Sequence, residues 1–361
     1  MSETLVKPDI ATQTINQLRL LANQMITKAG SGHPGIALGA APMLYELYAN
    51  QLVIDPAQPE ALNRDRFVLS AGHGAALLYA TLHVAGFALS AADLAAFRQP
   101  HSKTPGHPEV GVTPGVDATT GPLGQGLGMA VGMAMAEAKL HAQFPTVIDH
   151  FTYALVGDGD LMEGISHEVA TLAGQQALAK LIVLYDDNQV SLDGQRARAD
   201  TADNVARFAS YGWDVRRITD GNDLAAIHDA IENAKLSPEP TLIAVRTTIG
   251  DSGPYAGTHQ AHGTPLTPAQ LNALADNLGT TLTPNFSLDE PLVTHMRDKI
   301  KQRLAQQTTP SADELQAYLE FAQCQSPQIP TLNATAQQQA ARTIGKITLQ
   351  TVAQTWPQLW G

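Results

Sequence analysis

The sequence of 361 residues predicts an α/β fold with a doubly wound, mainly parallel sheet and helices on both faces. Two mostly apolar runs, residues 151–156 and 180–185, are typical of strands that a sheet buries on both sides. Between them, residues 161–176 carry apolar side chains at helical spacing, which gives the strand–helix–strand order of a parallel sheet. Residues 267–323 have helical patterns without a strand signal, so we expect a helical extension there.

The strand and helix patterns alternate to about residue 266, and we therefore expect residues 1–324 to form one domain with the helical extension. Residues 325–335 begin with a polar, proline-bearing stretch, which is typical of a linker. Residues 336–361 are expected to contain one amphipathic helix, to about residue 355.

Charge and composition exclude several classes of partner. The net charge of −12 argues against nucleic acid, which needs a basic surface. No apolar run reaches the ~18 residues of a membrane span, and the first residues lack the features of a signal peptide. The single cysteine, Cys324, excludes an internal disulfide and fits a reducing cytoplasm. We expect a cytoplasmic protein that binds neither nucleic acid nor membrane.

Polar side chains follow both of the predicted strands that flank the helix. Asp158 lies in a Gly-Asp-Gly turn, and Asn188 follows the second strand, two residues before Val190. The carboxyl ends of neighbouring parallel strands meet at one edge of a sheet, where such folds bind ligands. Magnesium prefers oxygen ligands and shares them with phosphates, so these two side chains and the Val190 carbonyl suit a cation that carries a diphosphate. The alternative is a pair of unrelated turns.

Glycines and histidines indicate a second part of the site. The segment that begins Gly121-Pro122-Leu123 precedes a predicted helix at 127–141, and it is either an anion-binding helix start or an ordinary turn. The twelve histidines raise the alternative of a zinc site, but no set of three or four ligands at short spacing is present. Histidines in glycine-rich turns suit a hydrogen-bonding pocket. The candidates for that pocket are His33, His73, His101 and His262.

With these residues in view, the chain resembles the amino-terminal half of transketolase, a thiamine-diphosphate enzyme. The matching segments, in chain order, are residues 31–35, 65–70, 72–74, 101–109, 120–126, 162–168 and 257–263. The resemblance implies the thiamine-diphosphate-binding fold for residues 1–324. It also implies that residues 336–361 hold the first helix of a truncated pyrimidine-binding domain. At position 189, glutamine stands where the family usually has glycine.

The resemblance also implies roles for individual residues. The ligands of Mg²⁺ or Ca²⁺ are expected at Asp158, Asn188 and Val190. Contacts with thiamine diphosphate are expected at His73, Gly121, Pro122, Leu123, Gly159, Asn188, Ile249 and His262. The residues expected to contact the sugar substrate are His33, His101, His262 and Arg342, of which the three histidines are also expected to be catalytic. Glu163 and Glu168 complete the catalytic set, as acids at a subunit interface that share protons with the glutamate that activates the cofactor.

The activity that the resemblance implies is transfer of a two-carbon ketol unit in the pentose phosphate pathway. The donor is a ketose phosphate such as xylulose 5-phosphate, and the acceptor is ribose 5-phosphate or erythrose 4-phosphate. The pyrimidine-binding residues have no counterpart in the sequence, so we expect this chain alone to be inactive or very weak. Its partner would be a second copy in a homodimer or a chain with the pyrimidine-binding domain. Two alternatives stay open: a half-subunit of a split enzyme for a different sugar, and a non-catalytic folded fragment.

Overall fold

The computed structural model describes residues 8–192, 194–323, 340–356 and 358–359. Its strands are β1 Arg66–Leu69, β2 Thr152–Gly157, β3 Leu181–Asp187, β4 Val190–Ser191, β5 Gly194–Gln195, β6 Asp214–Ile218 and β7 Thr241–Arg246. Five of them form one sheet in the order β1-β2-β3-β7-β6, in which every neighbouring pair is parallel. Strands β4 and β5 form a separate antiparallel hairpin. The predicted α/β class with a parallel sheet is confirmed.

Helices account for most of the remaining regular structure. The α-helices are α1 Ile10–Ala29, α2 Pro34–Gly39, α3 Ala41–Glu46, α4 Ala75–Ala85, α5 Ala91–Ala95, α6 Gln125–Gln143, α7 Asp158–Met162, α8 Gly164–Gln175, α9 Asn204–Ser210, α10 Leu224–Ala234, α11 Gln260–Gly263, α12 Pro268–Asn277, α13 Glu290–Leu304, α14 Ala312–Ala322 and α15 Ala341–Thr355. A π-helical turn covers Leu47–Gln51, and 3₁₀ turns cover Gly72–Gly74, Arg196–Arg198 and Pro284–Phe286.

Side chains of the central strands alternate between two hydrophobic cores, one on each face of the sheet. In β3, Ile182 and Leu184 belong to the larger core, which includes residues of α1, α3, α4, α10 and α13. Val183 and Tyr185 belong to the second core, which includes residues of α6, α8 and α9. Each face is therefore covered by helices, and the predicted doubly wound arrangement is confirmed.

The helix predicted between the first two apolar strands is interrupted. It consists of α7, which starts at Asp158, and α8, with Glu163 between them in an extended conformation at ψ 142°. The Asp160 carbonyl accepts the Glu163 N–H at 3.3 Å and the Ser166 hydroxyl at 2.5 Å, so it is satisfied without a continuous helix. These bonds accompany the break, and apolar spacing does not report them.

The carboxyl-terminal part follows the prediction where it is described. Helices α12, α13 and α14 lie in residues 267–323, and no strand occurs in that segment, all of which is described. The proposed linker, residues 325–335, lies outside the described residues. On α15, Ile344 and Ile347 lie one turn apart and are each 48% exposed, and Leu349, on another side of the helix, is 61% exposed, so these apolar side chains are largely uncovered. The division into domains stays a prediction. Across the described helices, none has the length and hydropathy that crossing a membrane requires.

Candidate active site

The two turns that were predicted to hold a cation lie next to each other at the carboxyl edge of the sheet. Strands β2 and β3 are in parallel register, with Gly157 opposite Asp186. Asp158 follows directly at the start of α7 and is 3% exposed. The backbone N–H of Gln189 donates to Oδ2 of Asp158 at 3.1 Å. The turn that contains Asn188 therefore lies against the Asp158 carboxylate.

Two further side chains contact the other oxygen of Asp158. The Tyr185 hydroxyl donates a hydrogen bond to Oδ1, and Nε of Arg196 lies 3.5 Å from the same oxygen. Burial raises the pKa of the Asp158 carboxyl to about 7, against the opposing effects of the Tyr185 hydrogen bond and the Arg196 charge. Sequence reasoning identified neither Tyr185 nor Arg196, because their contacts with Asp158 depend on the fold.

The turn after β3 has an unusual backbone that fixes the orientation of Asn188. The Asn188 amide accepts the Val190 N–H at its oxygen and donates its NH₂ group to Oδ2 of Asp186, both at 3.0 Å. Gln189 lies between them with φ 61°, the left-handed region that favours glycine. Val190 packs in a small buried cluster with Ile249 and Ala261. The predicted metal turn and the predicted cofactor contact Ile249 are thus in one cluster.

A buried carboxylate that the sequence analysis did not identify holds the glycine loops together. Asp160 is fully buried and accepts hydrogen bonds from the Ser70 hydroxyl at 2.6 Å, the Gly124 N–H at 2.9 Å and the Gly157 N–H at 3.0 Å. Burial raises the pKa of Asp160, and these hydrogen bonds oppose the rise. The only sequence signal is a second aspartate two residues after Asp158, in the first turn of a helix.

The glycine loops approach each other too closely for larger residues. A Cβ atom on Gly72 would lie 2.7 Å from the backbone nitrogen of Gly121, and a Cβ on Gly159 would lie 2.9 Å from Cδ1 of Leu123. Gly121, Leu123 and Gly159, which are predicted cofactor contacts, therefore lie where the loops approach each other most closely. Pro122 is exposed in the same loop.

Three of the four candidate histidines form one cluster. The ring centroids of His33 and His73 are 5.2 Å apart, those of His33 and His262 5.2 Å, and those of His73 and His262 5.1 Å. The fourth ring in the cluster is that of His107, which was not among the candidates; its centroid lies 6.4 Å from that of His33. His101 is exposed, with φ 60°. The structure therefore groups His33, His73 and His262 and shows His101 on the surface.

Burial keeps the clustered imidazoles neutral. It lowers the pKa of His33 to about 4, with further lowering by the nearby His262, Arg98 and His107. Burial also lowers the pKa values of His73, His107 and His262. The Nδ1 atom of His33 is buried and has no hydrogen-bond partner among the described residues. A neutral ring with an unpaired nitrogen suits a polar ligand.

The remaining predicted residues lie on the surface. Glu163, at the break between α7 and α8, and Glu168, on α8, are both exposed. Arg342 is exposed near the start of α15.

The zinc alternative finds little support in the described part of the chain. There, side chains of Glu137, His141 and Asp149 are close enough together to hold a metal ion. The ammonium group of Lys180 lies 2.6 Å from the Glu137 carboxylate and 2.5 Å from that of Asp149. The Lys180 ammonium group therefore already offsets the negative charge of this cluster.

The chemistry of the donor set at the sheet edge fits a magnesium diphosphate. The buried Asp158 carboxylate, the Asn188 amide oxygen and the Val190 carbonyl are hard oxygen donors. Next to them, glycine loops leave room for close approach to a ligand, as the contact between Gly72 and Gly121 shows.

Comparison with known proteins gives the same family. Residues 10–337 match the family described as "Transketolase, thiamine diphosphate binding domain". A transketolase of Geobacillus stearothermophilus is 48% identical over 311 residues, which cover 84% of this chain and 46% of that protein. A solved transketolase of Leishmania mexicana has a TM-score of 0.90 at 36% identity and covers 97% of this chain and 55% of that one. A Pichia stipitis transketolase in complex with sedoheptulose 7-phosphate has a TM-score of 0.86 at 36% identity, over 96% of this chain and 54% of that one.

The chain spans about half the length of the curated relatives it matches. Within that half, the family match covers most of the described structure, including the sheet edge with its aspartates, glycine loops and histidines. The chain belongs to the transketolase family, through its thiamine-diphosphate-binding domain.

Proposed function

We propose that this chain is the diphosphate- and metal-binding part of a transketolase. The complete enzyme would transfer a two-carbon ketol unit from a ketose phosphate such as xylulose 5-phosphate to ribose 5-phosphate or erythrose 4-phosphate. This is a reaction of the pentose phosphate pathway, and the single cysteine favours a cytoplasmic location. The observation that carries the proposal is the contact between Asp158 and the turn of Asn188. From that turn, Val190 packs against Ala261, the neighbour in sequence of His262 in the histidine cluster.

Asp158, Asn188 and the carbonyl of Val190 would hold the divalent cation, with Mg²⁺ as the first candidate and Ca²⁺ as the second. The support is the buried carboxylate and the adjacent amide oxygen at the carboxyl edge of a parallel sheet. The cofactor would extend from this cation across the surfaces of Gly121, Pro122, Leu123 and Gly159 towards His73, Ile249 and His262.

Thiamine diphosphate, when bound, supplies the nucleophilic carbon on which the two-carbon unit is carried. The role of the chain is to bind sugar hydroxyls and move protons at them. His33 and His262 are neutral rings, and each can donate one hydrogen bond and accept another. Fixed donors of this kind stabilise negative charge that develops on a sugar oxygen. We include His101 in this set, from the exposed loop next to the cluster, and Arg342 as a ligand of the sugar phosphate.

Glu163 and Glu168 would meet a second subunit. Their support is exposure on α7–α8, next to the glycine loop that includes Gly124: a Cβ atom on Gly124 would lie 2.8 Å from Cβ of Glu163. The partner would be a second copy in a homodimer or a chain that supplies the pyrimidine-binding domain.

The test measures the binding of thiamine diphosphate first and ketol transfer second. Thiamine diphosphate is titrated calorimetrically into the chain with Mg²⁺ and with excess EDTA, and Asp158→Ala is compared with Asp149→Ala, an aspartate of the Lys180 cluster. We expect metal-dependent binding that only Asp158→Ala abolishes. Ketol transfer from xylulose 5-phosphate to ribose 5-phosphate is then measured with and without a separately produced pyrimidine-binding domain. Metal-dependent binding without any transfer by the reconstituted pair would contradict the proposed reaction and favour the split enzyme or the non-catalytic fragment.

A further inference from the structure

A buried chain of hydrogen bonds sets the orientation of the Asp158 carboxylate. The amide NH₂ of Asn204 donates to the Tyr185 hydroxyl oxygen at 3.2 Å, and that hydroxyl donates to Oδ1 of Asp158. Asn204 and Tyr185 are each 2% exposed, so water does not replace either contact. The Gln189 N–H donates to the other oxygen, Oδ2. Because both carboxylate oxygens accept hydrogen bonds, the orientation of the Asp158 carboxylate is fixed.

Arg196 contacts the same carboxylate in a different way. Its backbone N–H donates to the Gln189 carbonyl at 2.8 Å, and its guanidinium donates to the Ala202 carbonyl at 3.1 Å. The side chain is 13% exposed, and Nε lies 3.5 Å from Oδ1 of Asp158. That Nε has no hydrogen-bond partner in the part of the chain that is described. Arg196 therefore supplies a fixed positive charge without a directed hydrogen bond.

We propose that Tyr185 and Arg196 set the divalent-metal affinity of Asp158 in opposite directions; this inference rests on the proposed function. Tyr185, held by Asn204, is a positioning residue that presents the carboxylate to the cation. Hydrogen bonds of this kind behind a metal ligand strengthen its binding. Arg196 is a like charge beside the incoming cation, and it already neutralises part of the carboxylate, so it weakens the affinity. The metal therefore binds in competition with a cation of the protein itself.

The proposal predicts affinity changes of opposite sign. Mg²⁺ is titrated into the 361-residue chain at saturating thiamine diphosphate by calorimetry, and Mn²⁺ binding is followed by electron paramagnetic resonance. Tyr185→Phe removes the orienting hydroxyl, and we expect roughly tenfold weaker metal binding. Arg196→Gln removes the competing charge, and we expect at least about threefold tighter binding. Arg196→Lys keeps the charge and should stay within about twofold of the wild type, because the Nε contact is not a hydrogen bond.

Two matched variants control for general effects. Arg198→Gln removes one positive charge from an exposed side chain of the same turn, and Tyr153→Phe removes a buried hydroxyl from the neighbouring strand. Thermal melts establish that each variant is folded. Tighter binding by Arg196→Gln but not by Arg198→Gln, together with weaker binding by Tyr185→Phe but not by Tyr153→Phe, supports the proposal. Unchanged or weaker binding by Arg196→Gln, or unchanged binding by Tyr185→Phe, overturns it.

Failure of the proposed function gives a different result. A wild-type chain without metal-dependent binding of thiamine diphosphate contradicts the function and the inference together. The inference alone is contradicted if the wild-type chain binds the metal ion and thiamine diphosphate but Arg196→Gln binds the metal ion no more tightly than the wild type.

Discussion

The backbone N–H of Gln189 donates to the carboxylate of Asp158 across 3.1 Å, and this bond joins the turns that follow strands β2 and β3. Gln189 makes this bond with φ 61°, in the left-handed region that favours glycine. A residue with a Cβ atom is strained there, at a cost of roughly 1–2 kcal/mol. The candidate metal site thus contains a residue with a strained backbone.

Gln189→Gly should relieve this strain. The Gln189 side chain also donates to the Asp187 carboxylate, so Gln189→Ala is the proper reference, because it loses that bond but keeps the Cβ atom. We expect Gln189→Gly to be more stable than Gln189→Ala by about 0.5–1 kcal/mol, after the entropy cost of glycine. Urea unfolding of both variants measures the difference. Equal stability of the two would show that the left-handed backbone stores no strain here.

Gly72→Ala should separate the two glycine loops. Its Cβ atom would lie 2.7 Å from the Gly121 nitrogen and 2.7 Å from the Thr120 hydroxyl, and the backbone nitrogen cannot move away alone. We expect a loss of about 1–3 kcal/mol of stability, together with weaker binding of thiamine diphosphate.

The control for Gly72→Ala is Gly132→Ala in helix α6, where a Cβ atom would meet nothing within 4 Å. Alanine favours a helix over glycine, so this variant should gain up to about 1 kcal/mol. Urea unfolding measures the stability of both variants, and calorimetry measures their binding of thiamine diphosphate. A Gly72→Ala variant as stable as the wild type would mean that the loops do not need their close approach.

Sequence patterns predicted the parts of the structure that depend on local order. The apolar runs predicted β2 and β3 within two residues at either end, because strands buried on both faces have few polar positions. The contact of Asp158 with the Asn188 turn followed from the geometry of parallel strands. Asp160, Tyr185 and Arg196 could not be predicted in the same way, because these contacts join side chains to partners that lie 27 to 90 residues away.

The histidines show the same limit. His33, His73 and His262 are far apart in the sequence, and only their glycine-rich contexts suggested a common pocket. Those contexts favoured His101 over His107, although both lie in one loop. The fold orients the His107 ring towards His33 and leaves His101 exposed. The direction of a side chain within a loop depends on the tertiary fold, and the spacing of residues in the sequence does not reveal it.

Asp160→Asn should destabilise the chain strongly. The aspartate accepts one hydroxyl and two backbone N–H groups while fully buried, and an amide would place its NH₂ group against at least one of those donors. We expect a loss of about 3 kcal/mol in urea unfolding. Ser70→Ala removes one of the three donors and also the acceptor of the buried Leu127 N–H, and it should cost about 2 kcal/mol. If the two variants lose the same stability, the two backbone bonds contribute nothing measurable.

His33→Asn should reduce the sensitivity of the chain to acid. The pKa of His33 is about 4 in the folded chain and 6.5 when the ring is free, so between these pH values the unfolded chain binds the additional proton. The contribution of the neutral ring is complete above pH 6.5 and is lost as the pH falls through that window. We expect the wild type to lose about 1–2 kcal/mol more than His33→Asn between pH 6.5 and 4, allowing for partial exposure. Urea unfolding at several pH values gives both curves, and His101→Asn provides the exposed reference. Parallel curves for the wild type and His33→Asn would show that His33 titrates alike in the folded and unfolded chain, and that burial in the histidine cluster does not keep it neutral.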